Sequence, residues 1–203
     1  MQDTTGAPPE QRWEPLSLED VQKLLGSASP WWIAGGRGLD LFIGHETRAH
    51  VDVDVAVLRR DQQAFREALG KWDVQVVQDG TFTPWKRGQQ ISAPEQREIW
   101  ARERPDGPWR IELLFEESSG SRWSYRRDPR IGLNIADLGR RDERGIPYLR
   151  PEVTLLYKSK SPRATDETDL LNVLSHLDPA QRGWLFATIY TADPKHRWLE
   201  RLK

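Results

Sequence analysis

The chain has 203 residues, enough for one good-sized domain or for a compact domain with a smaller one appended. Hydrophobic residues make up 37% of it, and with ten tryptophans they can build a core, which excludes global disorder. Cysteine is absent, which excludes disulfides and thiolate sites, and a formal net charge of -1 gives no general electrostatic reason to bind nucleic acid or a membrane surface.

The beginning of the chain is predicted to be a flexible leader over residues 1–14. This stretch is polar, contains Pro8 and Pro9, and lacks the apolar core of a secretory signal. No apolar run in the sequence approaches the roughly 18–20 residues that a transmembrane helix needs. We therefore expect a cytoplasmic protein without a membrane partner.

Helical and extended patterns alternate through the next sixty residues. Ser17 is a typical helix cap, and apolar residues recur at helical spacing after it until Gly26. The valines at 51, 53, 55 and 57 are typical of a strand. The predicted order is helix 18–25, strand 31–34, helix 38–43, strand 51–58, a helix after Asp61 and strand 72–77. This alternation predicts an α/β domain.

The second half of the sequence changes in character. Residues 79–94 are rich in Gly, Pro and polar residues and predict a long loop. Two strands are expected at 98–103 and 109–115, with a further edge at 122–126. Beyond Pro147 only helices are predicted, over 151–160, 165–177, 179–192 and 194–202. The expected organisation is a main domain over 15–146 and a helical subdomain over 147–203.

Two short motifs carry the chemistry. Gly35 and Gly36 lie between a strand and a helix, where free backbone N–H groups and the helix dipole favour phosphate. Asp52 and Asp54 alternate on a predicted strand, so their side chains are expected on one face with His50. Two carboxylates held so close repel one another, and a pair of Mg²⁺ ions would resolve that repulsion. Taken alone, each motif also fits an ordinary turn or an exposed strand face.

The residues from Trp32 to Asp40, then Gly44, then Thr47 to Asp54 resemble the N-terminal signature of the aminoglycoside and lincosamide nucleotidyltransferases. These enzymes form part of the DNA polymerase beta-like superfamily. The resemblance implies a mixed β-sheet with helices packed on one side, plus a C-terminal helical subdomain. It also implies transfer of a nucleoside monophosphate, AMP from Mg-ATP or another nucleoside triphosphate, onto a hydroxyl of a small molecule such as an antibiotic, with release of pyrophosphate.

The same resemblance implies further site residues. A third carboxylate on a later strand would bind metal or deprotonate the acceptor; Glu112 is the candidate because it is a lone charge in an apolar run. Its alternative role is a solvent-facing strand residue. Glu116 and Glu117 are the fallback positions, and they are otherwise expected to lie at an exposed strand end. Lys158 would neutralise phosphate, or else would be a solvated cation at a helix end. Arg37 departs from the family pattern and would either reach phosphate or block a contact.

Other readings remain open at this level. A structural role is expected for Asp40, as a cap or paired with Arg48, and Trp85 would either pack in the core or stack on a base. An arginine-rich stretch could track the backbone of tRNA, which would make the protein a toxin-like or regulatory nucleotidyltransferase acting on tRNA or protein; a solvated surface is the simpler explanation. A non-catalytic nucleotide-binding relative is the third reading. The arginine-rich stretch of the tRNA interpretation comprises Arg122, Arg126, Arg127, Arg130, Arg140 and Arg141.

Overall fold

Ten strands form one mixed sheet in the computed structural model, which describes residues 12–26 and 28–203. The strands are β1 Trp31–Ile33, β2 Asp54–Leu58, β3 Asp73–Gln78, β4 Thr81–Pro84, β5 Glu98–Arg102, β6 Ile111–Ser119, β7 Arg122–Ser124, β8 Gly132–Asn134, β9 Gly139–Arg141 and β10 Pro147–Leu149. Their order is β4-β3-β5-β6-β2-β1-β10-β9, and β7 pairs with β6 and with β8. The pairs β1–β10 and β2–β6 are parallel, and the other pairs are antiparallel.

Seven α-helices lie in the same described ranges. They are α1 Leu18–Leu25, α2 Gly35–Ile43, α3 Gln62–Ala68, α4 Pro151–Ser159, α5 Ala164–Leu174, α6 Pro179–Ala192 and α7 Leu199–Leu202. Ser17 caps α1, as predicted, by accepting a hydrogen bond from the Asp20 N–H at 3.1 Å. Within the described part of the chain, every helix is too short or too polar to cross a membrane.

Two hydrophobic clusters lie on opposite faces of the sheet, because successive strand residues point to opposite sides. Val55 and Val57 of β2 are fully buried in the first cluster, which also receives apolar residues of α1 and α3. Ala56 and Leu58 belong to the second cluster, with residues of α2 and of all four C-terminal helices. The mixed α/β class is thus confirmed, and helices contribute to both faces where the resemblance implied one side.

Several predicted boundaries are corrected by the structure. Helix α2 begins at Gly35 rather than at residue 38, and β2 begins at Asp54 rather than at residue 51. Strand β4 lies inside the predicted loop 79–94. Strand β10 lies inside the stretch that was predicted to be helical only, and β8 and β9 were missed as well. These three strands have three residues each, too few for an alternating pattern to show.

The predicted leader falls mostly outside the described residues. Its last residues, 12–14, run beside the start of β6: the Trp109 N–H donates to the Arg12 carbonyl at 2.8 Å, and the Glu14 N–H donates to the Trp109 carbonyl at 3.0 Å. This segment therefore extends the sheet by a parallel bridge between Trp13 and Trp109.

Candidate active site

Three carboxylates converge where β2 and β6 run side by side. Asp54 is the first residue of β2 and is paired in register with Glu112 of β6, so their side chains lie on the same face. Asp52 precedes the strand, and yet one oxygen from each of Asp52, Asp54 and Glu112 lies within 4.8 Å of the others. The parallel pairing of two strands thus brings together residues that are far apart in sequence.

The electrostatics of this cluster are unfavourable without a cation. Burial and the charge of Asp52 raise the pKa of Asp54 from 3.8 to about 7, against the opposing charge of Lys158. Burial and the charge of Asp54 raise the pKa of Glu112 well above its ordinary value. Among the described residues, no lysine, arginine or histidine forms an ion pair with these three carboxylates. Three carboxylate oxygens around one point are a donor set that fits a magnesium ion.

The glycine pair at the start of α2 lies against functional side chains. A Cβ atom on Gly35 would overlap the Asp54 carboxylate, and the φ angle of Gly35 is +58°, which other residues rarely adopt. A Cβ atom on Gly36 would overlap the His50 ring and the Arg48 guanidinium. Ala34, the residue at the N-cap, makes no side-chain cap, so its side chain does not compete with an anion for the first N–H groups of α2.

Asp40 and His50 form a pair behind these glycines. Asp40 Oδ2 lies 2.6 Å from His50 Nε2, and Asp40 Oδ1 accepts hydrogen bonds from the backbone N–H and the hydroxyl of Thr47 at 3.1 and 2.7 Å. Asp40 therefore has the structural role that was expected for it, because its carboxylate holds Thr47 and His50. His50 was expected to share a strand face with the two aspartates, but β2 begins only at Asp54 and His50 turns to Asp40 instead.

Arg48 has a different partner from the one predicted. It donates from Nε and Nη2 to the two carboxylate oxygens of Asp169 on α5, at 2.9 and 3.1 Å. The predicted pair between Arg48 and Asp40 is therefore wrong. The reason is tertiary: α5 brings a carboxylate, 2% exposed, to the Arg48 guanidinium from a sequence distance that no local pattern reveals.

Lys158, near the C-terminal end of α4, is not a solvated helix end. Its side chain is only 11% exposed, and Nζ lies 2.8 Å from Asp166 and 3.0 Å from Asp169 on α5. Arg163 also pairs with Asp166, at 3.0 Å. Although burial opposes the change, hydrogen bonds from Arg163 and Lys158 lower the pKa of Asp166 to about 2. Two carboxylates thus hold the Lys158 ammonium in place.

Asp54 and Gly35 line a cleft of about 310 Å³ between the sheet and the C-terminal helices. Lys158 and Tyr157 of α4 form part of the opposite wall, and Glu116 of β6 forms part of the sheet side. Six cationic side chains contribute to the lining: Arg97, Arg126, Arg127, Lys158, Lys160 and Arg163. Their number is typical of a site for a polyanion.

Arg37 lies elsewhere. Its side chain lines a second cavity with Asp40 and His50, and it is not among the residues that line the cleft. Its Nε is buried without a hydrogen-bond partner in the described part of the chain. Trp85 lies in the first hydrophobic cluster, is 1% exposed, and has its ring edge-on to Phe115. It therefore packs in the core, and the alternative that it stacks on a base is wrong.

The arginine-rich stretch does not form one continuous stripe. Arg126 and Arg127 line the cleft, whereas Arg140 and Arg141 lie on β9 at the far edge of the sheet. Arg130 pairs with Asp128 at 2.6 Å. A phosphate backbone that followed the whole stretch would have to pass from the cleft around that edge.

Glu116 was placed by sequence at an exposed strand end, and this is wrong. It is 4% exposed, because β6 continues to Ser119 and Trp123 and Tyr157 cover its carboxylate. The available signal was the period of two along β6, which sets Glu116 on the same face as Glu112. The sequence does not show that β6 continues beyond Glu116 to Ser119, and this continuation is why Glu116 is not at an exposed strand end.

Comparison with known proteins agrees with this geometry. Residues 17–99, which include the glycine pair and both aspartates, match the model of the aminoglycoside-2''-adenylyltransferase family. The fold is similar to that of the lincosamide antibiotic adenylyltransferase LnuA in its lincomycin-bound crystal structure, with a TM-score of 0.54 and 16% identity over 81% of this chain and 100% of that one. The solution structure of the antibiotic-resistance factor ANT(2'')-Ia gives a TM-score of 0.53 and 16% identity over 91% and 95% of the two chains.

The chain therefore resembles antibiotic-modifying nucleotidyltransferases: part of its sequence matches the model of one such family, and its fold is similar to theirs. No curated protein matches its sequence. The family match ends before Glu112, so the choice of Glu112 as third carboxylate depends on the structure, through the pairing of β2 with β6.

Proposed function

We propose that this protein is a nucleotidyltransferase that moves AMP from Mg-ATP onto a hydroxyl group of a small-molecule antibiotic, an aminoglycoside or a lincosamide, and releases pyrophosphate. The observation that carries the proposal is the cluster of Asp52, Asp54 and Glu112, whose oxygens lie within 4.8 Å of one another at a cationic cleft. The acceptor class is supported by the matching family's description and by the antibiotic named for LnuA.

The carboxylates would hold the metal. Asp52 and Asp54 each offer an oxygen, and Glu112 completes the set from the neighbouring strand. Bound magnesium, as one ion or a pair, supplies positive charge that neutralises the triphosphate and makes its α-phosphorus more electrophilic. The raised pKa values of Asp54 and Glu112 support this role, because a cation would remove the repulsion that raises them.

The phosphates would lie between α2 and α4. Gly35 and Gly36 are the first two residues of α2, where backbone N–H groups and the helix dipole favour negative charge. Lys158 faces them across the cleft with an ammonium group held by Asp166 and Asp169. Arg37 has no part here, because its side chain lines the second cavity.

The transfer step then follows from these positions. The acceptor hydroxyl oxygen attacks the α-phosphorus, the bond from that phosphorus to the bridging oxygen of the β-phosphate breaks, and pyrophosphate leaves. The proton of the hydroxyl passes to a Glu112 oxygen. Glu112 is the candidate for this base because its carboxylate lies beside Asp52 and Asp54, where the acceptor and the α-phosphate would meet.

The experiment is product analysis by mass spectrometry after incubation with Mg-ATP and a panel of aminoglycosides and lincosamides. The wild type is expected to add the mass of AMP to at least one of them, and Asp54→Asn is expected to add none. Asp106→Asn is the matched control, because Asp106 is an exposed carboxylate in a turn outside the cleft. Equal product from the wild type and Asp54→Asn would refute the proposed site, and no product with any antibiotic would refute the acceptor class.

A further inference from the structure

Glu116 occupies the cleft at a distance from the carboxylate cluster. It follows Glu112 by four residues on β6 and points to the same face, so the two carboxylates are about 13 Å apart along the strand. Both it and Asp54 line the same cleft. A nucleotide whose phosphates lie near Asp54 and Lys158 would extend its ribose and base in the direction of Glu116.

The two oxygens of Glu116 differ in their surroundings. Oε2 accepts hydrogen bonds from Trp123 Nε1 at 2.6 Å and from the Tyr157 hydroxyl at 2.5 Å. In the described part of the chain, no donor forms a hydrogen bond to Oε1. The side chain is 4% exposed, and two donors converge on its Oε2. The side chain is therefore locked in place, with one acceptor left for a ligand.

The surrounding walls carry two further polar groups, Thr154 and Arg126. Thr154, one turn before Tyr157 on α4, lines the cleft, and its buried hydroxyl makes no hydrogen bond within the described residues. The Arg126 guanidinium carbon lies 5.3 Å from the Tyr157 ring centroid, and Arg126 forms no ion pair with the described carboxylates. This end of the cleft thus combines flat, stackable groups with unused polar atoms, which suits a nucleobase better than a phosphate.

We propose that Glu116 selects the nucleobase: its Oε1 accepts a hydrogen bond from the exocyclic amine of the base, as in adenine. This inference rests on the proposed function, since it assumes that a nucleoside triphosphate fills the cleft. An acceptor oxygen matches the amine at C6 of adenine and opposes the carbonyl at C6 of hypoxanthine. ATP and ITP, which differ at this position, are therefore the probes.

The test is the dissociation constant of Mg-ATP and of Mg-ITP for the full-length protein, measured by calorimetry at a pH above 7. Burial raises the pKa of Glu116 to about 7, against the opposing hydrogen bonds from Tyr157 and Trp123, so this pH keeps the carboxylate ionised. We expect the wild type to prefer ATP by about tenfold or more, because ITP leaves two acceptors facing each other. In Glu116→Gln the side-chain amide can donate to the hypoxanthine carbonyl. This variant should bring the ratio of the Mg-ITP and Mg-ATP dissociation constants near one, or invert it.

Tyr157→Phe is the matched control. It removes one hydrogen bond to Oε2 but leaves Oε1 in the cleft, so the ATP preference should persist even if both affinities fall. A purely structural role of Glu116 predicts instead that Glu116→Gln weakens both nucleotides equally.

The outcomes separate the two proposals. Equal binding of ATP and ITP by the wild type, or an unchanged ratio in Glu116→Gln, would overturn the role of Glu116 and leave the proposed function standing. Failure of the wild type to bind either nucleotide would overturn both. If Glu116→Gln does not fold, the ratio of the ITP and ATP dissociation constants in the wild type and in Tyr157→Phe still tests the proposal. A ratio near one in these two proteins would overturn it.

Discussion

Gly35 and Asp54 lie so close together that a side chain on the first would displace the second. The φ angle of Gly35 is +58°, and a Cβ atom there would overlap Asp54 Oδ2. Gly35→Ala should therefore move the carboxylate out of the cluster and reduce kcat/KM by about 10²-fold or more. Steady-state kinetics with Mg-ATP and a reactive acceptor measure this.

Gly26→Ala separates this steric effect from backbone strain. Gly26 has a similar φ of +51° but open space where its Cβ would lie. Its substitution should cost about 1–2 kcal/mol of unfolding free energy and leave kinetics unchanged. Equal kinetic losses in both variants would show that strain, and not contact with Asp54, explains the requirement for glycine.

Asp54→Asn should abolish activity and yet stabilise the metal-free protein. In EDTA at a pH above 7 the amide removes a buried charge that repels Asp52, which should raise the unfolding free energy by about 2–4 kcal/mol, at roughly 1.4 kcal/mol per unit of pKa shift. Chemical denaturation of the two proteins measures the difference. A less stable variant would contradict the picture of a repulsive cluster.

The sign of the pH dependence follows from the same shift. The folded-state pKa of Asp54, about 7, lies above the ordinary 3.8, so the folded protein binds the proton more tightly. Stability in EDTA should fall as pH rises between these two values, and this slope should be smaller in Asp54→Asn. Added Mg²⁺ should restore wild-type stability above pH 7 and have little effect on the variant.

Arg48→Ala should destabilise the attachment of α5 to the segment between α2 and β2. The change removes both hydrogen bonds to Asp169, whose side chain is 2% exposed, and leaves that carboxylate with Lys158 alone. We expect a loss of about 3 kcal/mol in denaturant unfolding. Arg130→Ala, which breaks a pair whose arginine is 72% exposed, should cost less than about 1 kcal/mol. Similar losses in the two variants would refute a special role for Arg48.

Asp166 should contribute stability that is lost in acid. Its pKa is lowered from 3.8 to about 2, so the stabilisation is complete above the upper value and disappears as pH falls to the lower one. Asp166→Asn should cost about 2 kcal/mol near neutrality, and the gap to the wild type should narrow below pH 4. Paired urea titrations over this range are the measurement; a gap independent of pH would point to packing instead of charge.

The sequence predicts those parts of the site that depend on local residue patterns. The glycine pair and the two aspartates lie within twenty residues, and Glu112 stands out as a charge among apolar residues. The register that pairs Asp54 with Glu112 has no local signature, because it depends on two strands far apart in the chain. The same holds for the pair between Arg48 and Asp169, and for the burial of Glu116 beneath a helix.

Strand β10 has a practical consequence for dividing this protein. It pairs with β1 and with β9, so the stretch that begins at residue 147 starts as an internal strand of the sheet and continues directly into α4. A fragment ending at residue 146 would leave the β1 backbone with an open hydrogen-bonding edge, a template for self-association. The two predicted segments, 15–146 and 147–203, should therefore be expressed as one chain. The first segment should be insoluble when it is expressed alone, and co-expression with the second should restore its solubility.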